Sequence, residues 1–194
     1  MLTAATPDLS VLPARDRILL TAHDLFYREG IRATGIDRVI AASGVTKVTF
    51  YRHFPSKNEL VLAYLEHRHQ RWMAWFTDAL QRHGAARKGL AALVPTLTEW
   101  LSDGHYRGCA FINAVGELGG ALPDVVAVAQ RHKADMAAAI EQLLSPSRQR
   151  PRDAALIAMA VDGAIVHAQI EATPEAALAS LARLVKLQQA AAAT

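Results

Sequence analysis

The chain has 194 residues, of which 52% are hydrophobic and 20% charged, and its formal net charge is +3. This balance indicates a globular protein and excludes a disordered chain. No segment reaches the roughly twenty uninterrupted apolar residues of a membrane span, and one cysteine, Cys109, cannot form an internal disulfide framework. The start of the chain lacks the basic and apolar regions of a signal peptide, so we expect a soluble, cytoplasmic protein with no membrane partner.

The first predicted helix follows about twelve residues that we expect to be flexible. It runs from about Pro13 to Glu29, and Gly30 is its stop signal. Apolar residues recur along it at helical spacing, which predicts one buried stripe. The stripe consists of Ile18, Leu19, Ala22, Leu25 and Phe26.

The next segment contains closely spaced signals for two short helices. Thr34 followed by Asp37 has the form of a capping box, so we expect a helix to begin near Thr34. Gly44 tolerates the left-handed conformation that ends a helix, and Thr46 is a good N-cap for a second helix. A short helix, a glycine turn and a second helix form a helix-turn-helix motif.

The second helix of the motif is predicted to be about two turns long. Pro55 prevents its continuation, and Ser56 with Glu59 forms a further capping box that begins a longer helix. The helical period places several basic, hydroxyl and small apolar side chains outward, types that contact bases and phosphates. The predicted DNA-binding residues are Thr34, Thr46, Lys47, Val48, Thr49, Tyr51, Arg52, His53 and Lys57.

Local charge supports this interpretation. Between residues 31 and 58, five basic residues oppose the single acid Asp37, an excess above that of the whole chain. A capped two-helix corner inside an ordinary helical protein would explain the same boundaries without DNA.

Two stretches of this region resemble a known family. Arg17-Ile-Leu-Leu-Thr-Ala-His-Asp-Leu-Phe-Tyr-Arg-Glu-Gly30 and Gly44-Val-Thr-Lys-Val-Thr-Phe-Tyr-Arg-His-Phe-Pro-Ser-Lys57 are similar to the DNA-binding domain of TetR/AcrR transcriptional regulators. The resemblance covers about residues 15–65. It implies that Thr46 to Thr49 contact bases, and that Tyr51, His53 and Lys57 contact the phosphate backbone. Gly35 and Ile40 depart from the pattern, where members have Ser or Thr and a small Ala.

The remainder of the chain is predicted to be helical as well. A long helix begins near Ser56 and ends at Gly84, and further helices are expected at about 86–102, 107–119, 123–144, 152–172 and 174–191. The predicted fold is therefore all-α with about nine helices. We expect a flexible N-terminus (1–12), a three-helix DNA-binding domain (13–58) and an effector-binding and dimerisation domain (59–194).

Large apolar side chains with a few polar groups between them are typical of a small-molecule cavity, although a solid core would use the same residues. The family resemblance favours a cavity for a small apolar or amphipathic effector. The predicted lining residues are Trp72, Met73, Phe76, Trp100, Phe111, Asn113, Glu117, His132 and Met136.

The last two predicted helices combine small residues with apolar stripes, a pattern that suits either core packing or contact with a second copy. In the resembled family they form the dimer interface, and a two-fold dimer would bind a pseudo-palindromic operator. The predicted interface residues are Ile165, Val166, Gln169, Ile170, Leu178, Leu181, Leu184 and Val185.

The sequence contains no recognisable catalytic constellation, cofactor motif or metal site. His67 and His69 are two residues apart and point to different sides of a helix, and a redox role for Cys109 is a minor alternative to a buried, inert thiol. We therefore expect no enzyme, and the family resemblance implies a homodimeric regulator, most simply a repressor that an effector releases from DNA. The alternatives are a small helical enzyme and a protein-binding adaptor that use the apolar pocket.

Overall fold

The computed structural model describes residues 9–171 and 173–191. Within these ranges it contains helices and no β-strand. The all-α prediction is confirmed. Ten α-helical segments occur, one of them a single turn, in agreement with the nine predicted helices. They are α1 (Ala14–Glu29), α2 (Ile36–Ser43), α3 (Lys47–His53), α4 (Lys57–Arg82), α5 (Ala85–Lys88), α6 (Leu93–Leu101), α7 (Ala110–Leu118), α8 (Pro123–Glu141), α9 (Arg150–Ile170) and α10 (Glu175–Ala191).

The chain divides into two compact units. We call residues 9–70 together with Ala110–Gln130 the head, and Arg71–Cys109 together with the described residues from 131 onward the body. Helix α7 and the first part of α8 therefore cluster with the helix-turn-helix, although they lie some fifty residues beyond it in sequence. The domain boundary predicted at residue 58 stays a prediction.

In the head, α1, α2 and α3 pack on one another around Ile18, Val39 and Phe50, which are fully buried. The first half of α4 completes this core through Tyr64, whose ring meets the ring of Phe26 edge-on with centroids 5.5 Å apart. The interdigitated aromatic and aliphatic side chains hold the two short helices of the motif in place, because seven or eight residues are too few to form a stable helix alone.

The body departs from prediction at 86–102, where one helix was expected. The structure has the single turn α5, a 3-10 segment Gly89–Ala92 and then α6. Gly89 adopts a φ of 51°, and a Cβ atom there would lie 2.9 Å from the carbonyl oxygen of Leu143. The positive φ and the close backbone approach both require glycine, and they interrupt the helix.

Helix α9 has two apolar faces. Ile157, Val161 and Ile165 are buried in the body, whereas Met159 and Ile170 lie on the opposite side and are exposed. This explains why α9, with a mean hydropathy of 1.4 over an 18-residue window, is long and apolar enough by composition to cross a membrane. Only 39% of that window is buried in one subunit. A single subunit therefore leaves one apolar side of α9 exposed.

A carboxylate network ties α4 to α6. Glu99 accepts hydrogen bonds from both terminal guanidinium nitrogens of Arg82, at 2.9 and 3.0 Å, and from the indole N–H of Trp75 at 3.2 Å. The ring Nε2 of His83 lies 3.1 Å from the same carboxylate. The bonds from Arg82, followed by those from Trp75 and His83, lower the pKa of Glu99 to about 2.

We expect Glu99→Gln to destabilise the protein at neutral pH by about 1 kcal/mol, since a partly exposed charged network contributes modestly. Because the pKa of Glu99 is lower in the folded state than its unfolded value of about 4.3, its contribution is present above pH ~4.3 and is lost as pH falls towards ~2. Urea unfolding should therefore show the difference between wild type and variant shrinking across that range. Asp78→Asn, which removes an exposed i,i+4 partner of Arg82, is the control and should change stability less. A difference independent of pH would contradict the role of this charge.

Candidate nucleic-acid interface

Three of the helix caps predicted for the motif are present in the structure. Gly44 ends α2 with a φ of 63°, in the left-handed region. The Thr46 hydroxyl accepts from the Thr49 amide at 3.2 Å and begins α3, and the Ser56 hydroxyl accepts from the Glu59 amide at 3.2 Å before α4. These bonds satisfy amides that a helix start leaves free. The glycine turn and the two-turn helix α3 lie where they were predicted.

The predicted capping box at Thr34 is wrong. Gly35 is the N-cap of α2 and makes no side-chain bond, while the Thr34 hydroxyl donates to the carbonyl oxygen of Gly30 at 2.8 Å. Thr34 is 0% exposed, so it closes the turn between α1 and α2 from the inside. We therefore leave it out of the proposed DNA contacts.

Helix α3 has one buried and one outward face. Phe50 is fully buried in the head, whereas Lys47, Val48 and Arg52 are exposed and Thr49 is half-buried. Val48 is 71% exposed, an apolar side chain placed among basic and hydroxyl groups. The Tyr51 ring meets the Phe50 ring edge-on, with centroids 5.3 Å apart, and remains exposed. The core residue thus orients a neighbouring phenol at the surface.

Several basic groups at this surface are available for phosphates. The Lys47 ammonium lies 3.8 Å from the Asp37 carboxylate, and both groups are strongly exposed, so the pair is weak and easily exchanged for a phosphate. Arg38, in contrast, is engaged by Glu29 at 2.7 Å. His53 and Lys57 are half-buried. Burial lowers the pKa of the Lys57 ammonium, and the charge of Glu117 opposes that shift.

Arg15 also lies at this surface, although the sequence did not identify it. Its guanidinium carbon lies 5.3 Å from the ring centroid of Phe54, the residue that follows α3. This cation–π contact holds an exposed positive charge at the end of the recognition helix. Nothing in the local pattern around residue 15 could indicate this contact, because Phe54 is thirty-nine positions away.

The residues predicted for an effector cavity fall into both units. Six lie in the body, and four of these have rings in direct contact around Trp72. The Trp72 ring stacks on Phe76 with centroids 4.6 Å apart, and it meets Trp100 and His132 edge-on at 5.4 and 5.0 Å. We call these four residues the aromatic cluster. Met73 is half-buried and Met136 is fully buried in the same unit.

One polar atom of the aromatic cluster is unsatisfied. Trp72 is buried, and its indole N–H has no hydrogen-bond acceptor among the described residues. A buried donor without an acceptor costs about 1 to 3 kcal/mol. An acceptor supplied from outside the chain would recover that cost.

The remaining three predicted cavity residues, Phe111, Asn113 and Glu117, belong to the head. Phe111 is fully buried and Asn113 half-buried. The Glu117 carboxylate accepts hydrogen bonds from the backbone amides of Ile31 and Arg32 and so stabilises the turn after α1. A bond across 86 positions has no signature in the sequence.

The predicted interface residues also separate. Ile165, Leu181 and Val185 are buried within one subunit, where they form the core between α9 and α10. Val166, Leu178 and Leu184 are half-buried, and Gln169 and Ile170 are exposed. Three exposed apolar residues were not predicted: Leu156, Met159 and Leu187. The signal for Leu156 and Met159 was the regular spacing of 156, 159, 163, 166 and 170 along α9, which places all five positions on one side of the helix. Leu187 lies on α10, outside this pattern.

Cys109 is buried in the body. The Lys133 ammonium lies 3.5 Å from its sulfur and is ion-paired with Asp162. In the described part of the chain, no three His, Cys, Asp or Glu side chains lie close enough together to hold a metal ion.

Comparison with known proteins identifies the family. A family model described as "Bacterial regulatory proteins, tetR family" matches residues 18–64. Among curated proteins, the transcriptional activator FasR of Mycolicibacterium smegmatis is 31% identical over 87 residues, which are 45% of this chain and 40% of FasR. The transcriptional repressor NemR of Escherichia coli K12 is 25% identical over 137 residues, 70% of this chain and 69% of NemR. The chain thus aligns with less than half of FasR.

Solved structures extend the similarity to nearly the whole chain. The structure of reduced NemR from E. coli superposes with a TM-score of 0.76 at 21% identity over 89% of this chain and 96% of that one, and shows the shared fold. SCO4454, a TetR-family transcriptional regulator from Streptomyces coelicolor, superposes with a TM-score of 0.80 at 31% identity, covering 93% of this chain and 88% of that one. The chain therefore belongs to the TetR family of DNA-binding transcriptional regulators.

Proposed function

We propose that α3 enters the major groove of an operator and contacts base edges from its first turn. The observation that carries this proposal is the exposed side of a recognition helix whose opposite side, at Phe50, is fixed in the core. Lysine donates to guanine or phosphate, and the Val48 side chain and Thr49 methyl suit a thymine methyl. The proposed base contacts are Thr46, Lys47, Val48 and Thr49, and the proposed phosphate contacts are Tyr51, Arg52, His53 and Lys57.

Two substitutions test the DNA contacts. Lys47→Ala should weaken binding about tenfold or more at a fixed salt concentration, and Tyr51→Phe should weaken binding to all sequences alike, because a phosphate contact carries no base information. The probe is a duplex that the wild-type protein selects from a random pool, and fluorescence anisotropy measures its affinity. Lys88→Ala removes one exposed lysine from α5 in the body and is the matched control.

The proposed function fails if the wild-type protein selects no duplex. If a duplex is selected but both variants bind it with wild-type affinity, α3 is not the recognition helix. Equal weakening by Lys88→Ala would show that only net charge matters.

We propose that the functional unit is a homodimer in which the exposed apolar side of α9 contacts a second copy. Met159 and Ile170, at 71% and 76% exposure, would otherwise keep large apolar surfaces in water. Gly163, between them, is exposed with open space around it and allows close approach of a second helix. A two-fold dimer presents two recognition helices, which favours a pseudo-palindromic operator with half-sites about one DNA turn or a multiple apart.

We further propose that a small apolar or amphipathic effector contacts the aromatic cluster and releases the protein from DNA. The unsatisfied indole N–H of Trp72 supports a ligand that carries a hydrogen-bond acceptor beside an apolar body. Such a ligand would need to bind the DNA-incompetent conformation more tightly, since equal affinity for both conformations shifts nothing.

We propose repression as the sign of regulation, because the alignment to the repressor NemR covers 70% of this chain and that to the activator FasR 45%. Repression requires the protein to occupy its operator without effector. We infer a cytoplasmic regulator that performs no catalysis, and the operator and effector are its partners.

A further inference from the structure

Glu117 joins α7 to the helix-turn-helix through two hydrogen bonds. One carboxylate oxygen accepts from the Ile31 amide at 3.1 Å, and the other accepts from the Arg32 amide at 2.7 Å. The two partners are successive residues of the turn that leaves α1 at Glu29 and enters α2 at Ile36. A single side chain from the second half of the sequence therefore holds the backbone that begins the motif.

The turn depends on this carboxylate chiefly through the Ile31 amide, since the bond from the Arg32 amide is exposed. Ile31 is 2% exposed, and a buried backbone N–H left without a partner is costly. A charged acceptor makes a stronger bond than a neutral one. Gly30 adopts a φ of 92° and lies close to the carboxylate. A Cβ atom added there would lie 3.5 Å from the Glu117 carboxylate oxygens.

Glu117 also acts on the other end of the motif. Burial lowers the pKa of the Lys57 ammonium, and the negative charge of Glu117 opposes that shift because it favours the charged ammonium. Lys57 is the first residue of α4, directly after the recognition helix and its loop. The carboxylate thus bonds to the backbone before α2 and acts through its charge alone on a proposed phosphate-binding group after α3.

We propose that Glu117 is a positioning residue through which α7 sets the orientation of α2 and α3 for DNA binding. With the carboxylate in place, the α1–α2 turn is held in one arrangement. Helix α7 begins directly after the body segment that ends at Cys109, and α8 leads back into the body at residue 131. The chain therefore joins α7 to the body at both ends, and loss of the two Glu117 bonds would release the turn.

An electrostatic role and a positioning role of Glu117 predict opposite changes in DNA affinity when the carboxylate is removed. Removing a negative charge from a DNA-binding head should, by electrostatics alone, leave DNA affinity unchanged or strengthen it. Loss of positioning should weaken it. We expect Glu117→Ala to bind the duplex selected by wild type about tenfold more weakly at fixed salt, and the Ile31 and Arg32 amides to exchange at least tenfold faster with deuterium, measured by NMR.

Two further variants complete the experiment. Glu117→Gln keeps the volume and one acceptor oxygen, so its affinity and exchange rates should lie between those of wild type and Glu117→Ala, and it carries the test if the alanine variant does not fold. Asp24→Asn removes an exposed charge on α1, where Asp24 pairs with Arg28 one turn away, and should bind at least as tightly as wild type.

The proposal is overturned if Glu117→Gln, or a folded Glu117→Ala, binds the duplex as wild type does, even with faster amide exchange, because the carboxylate would then be structural only. It is overturned equally if Asp24→Asn weakens binding to the same extent. The wild-type protein must first select a duplex. A wild-type protein that selects none contradicts the proposed DNA binding, and this outcome is distinct from a failure of the Glu117 proposal.

Discussion

Replacing Met159 by glutamate should convert the proposed dimer into a folded monomer of 21.0 kDa. Met159 is 71% exposed in one subunit, so a carboxylate there is solvated in the monomer and the fold is preserved. In a two-fold interface the same substitution buries two like charges without partners, a cost of several kcal/mol. Sedimentation equilibrium should report the smaller mass, and far-ultraviolet circular dichroism should report unchanged helicity.

Loss of the dimer should also weaken operator binding by about a hundredfold or more, since each head then binds one half-site without the other. Ala138→Glu, which adds a carboxylate to an exposed position of α8 in the body, is the matched control and should remain dimeric. Leu181→Glu is a poor test of assembly, because Leu181 is buried within the subunit and a charge there would disrupt the core. A dimeric, folded Met159→Glu protein would show that the second copy contacts another surface.

The helix boundaries of the motif could be predicted because their causes are local. The caps at Thr46 and Ser56 bond to amides three residues away, and Gly44 ends α2 through its own backbone conformation. Each of these signals is complete within one turn of chain. The same is true of the fold class, since a helical period that persists throughout the chain leaves little room for strands.

The roles of Thr34 and Glu117 could not be predicted, because tertiary contacts decide them. Thr34 has a capping residue's chemistry, but its hydroxyl is used by the carbonyl of Gly30. Glu117 follows an apolar run and so suggested a polar group in a cavity, whereas its partners lie 85 and 86 positions earlier. Hydrogen bonds between residues so far apart in the sequence leave no periodic pattern in it.

The two faces of α9 were indistinguishable for a different reason. Ile165 and Val166 are adjacent and equally apolar, and one is buried in the subunit while the other is half-buried beside the exposed stripe. Periodicity identifies a core face only by contrast with a polar one. Where a helix is apolar all round, sequence can indicate that it is covered on both sides, but not which residues meet which partner.

The aromatic cluster should be a structural core as well as the proposed effector site. Trp72→Ala removes a ring that contacts Phe76, Trp100 and His132 and should lower the free energy of unfolding by about 3 to 5 kcal/mol. Trp75→Ala should cost less, because Trp75 is only half-buried. Urea unfolding followed by circular dichroism measures both, and a loss below about 1 kcal/mol for Trp72→Ala would show that the cluster is loosely packed.

Trp72→Phe separates the core role from the effector role. It keeps an aromatic ring against Phe76 and deletes an N–H that has no acceptor among the described residues, so its loss of stability should be less than half that of Trp72→Ala. If the effector accepts a hydrogen bond from that N–H, a compound that releases the wild-type protein from its selected duplex should be needed at about tenfold higher concentration for the variant, equivalent to about 1.4 kcal/mol. Release at the wild-type concentration would remove the indole N–H from the effector site, because a ligand that used it must lose the bond when the nitrogen is gone.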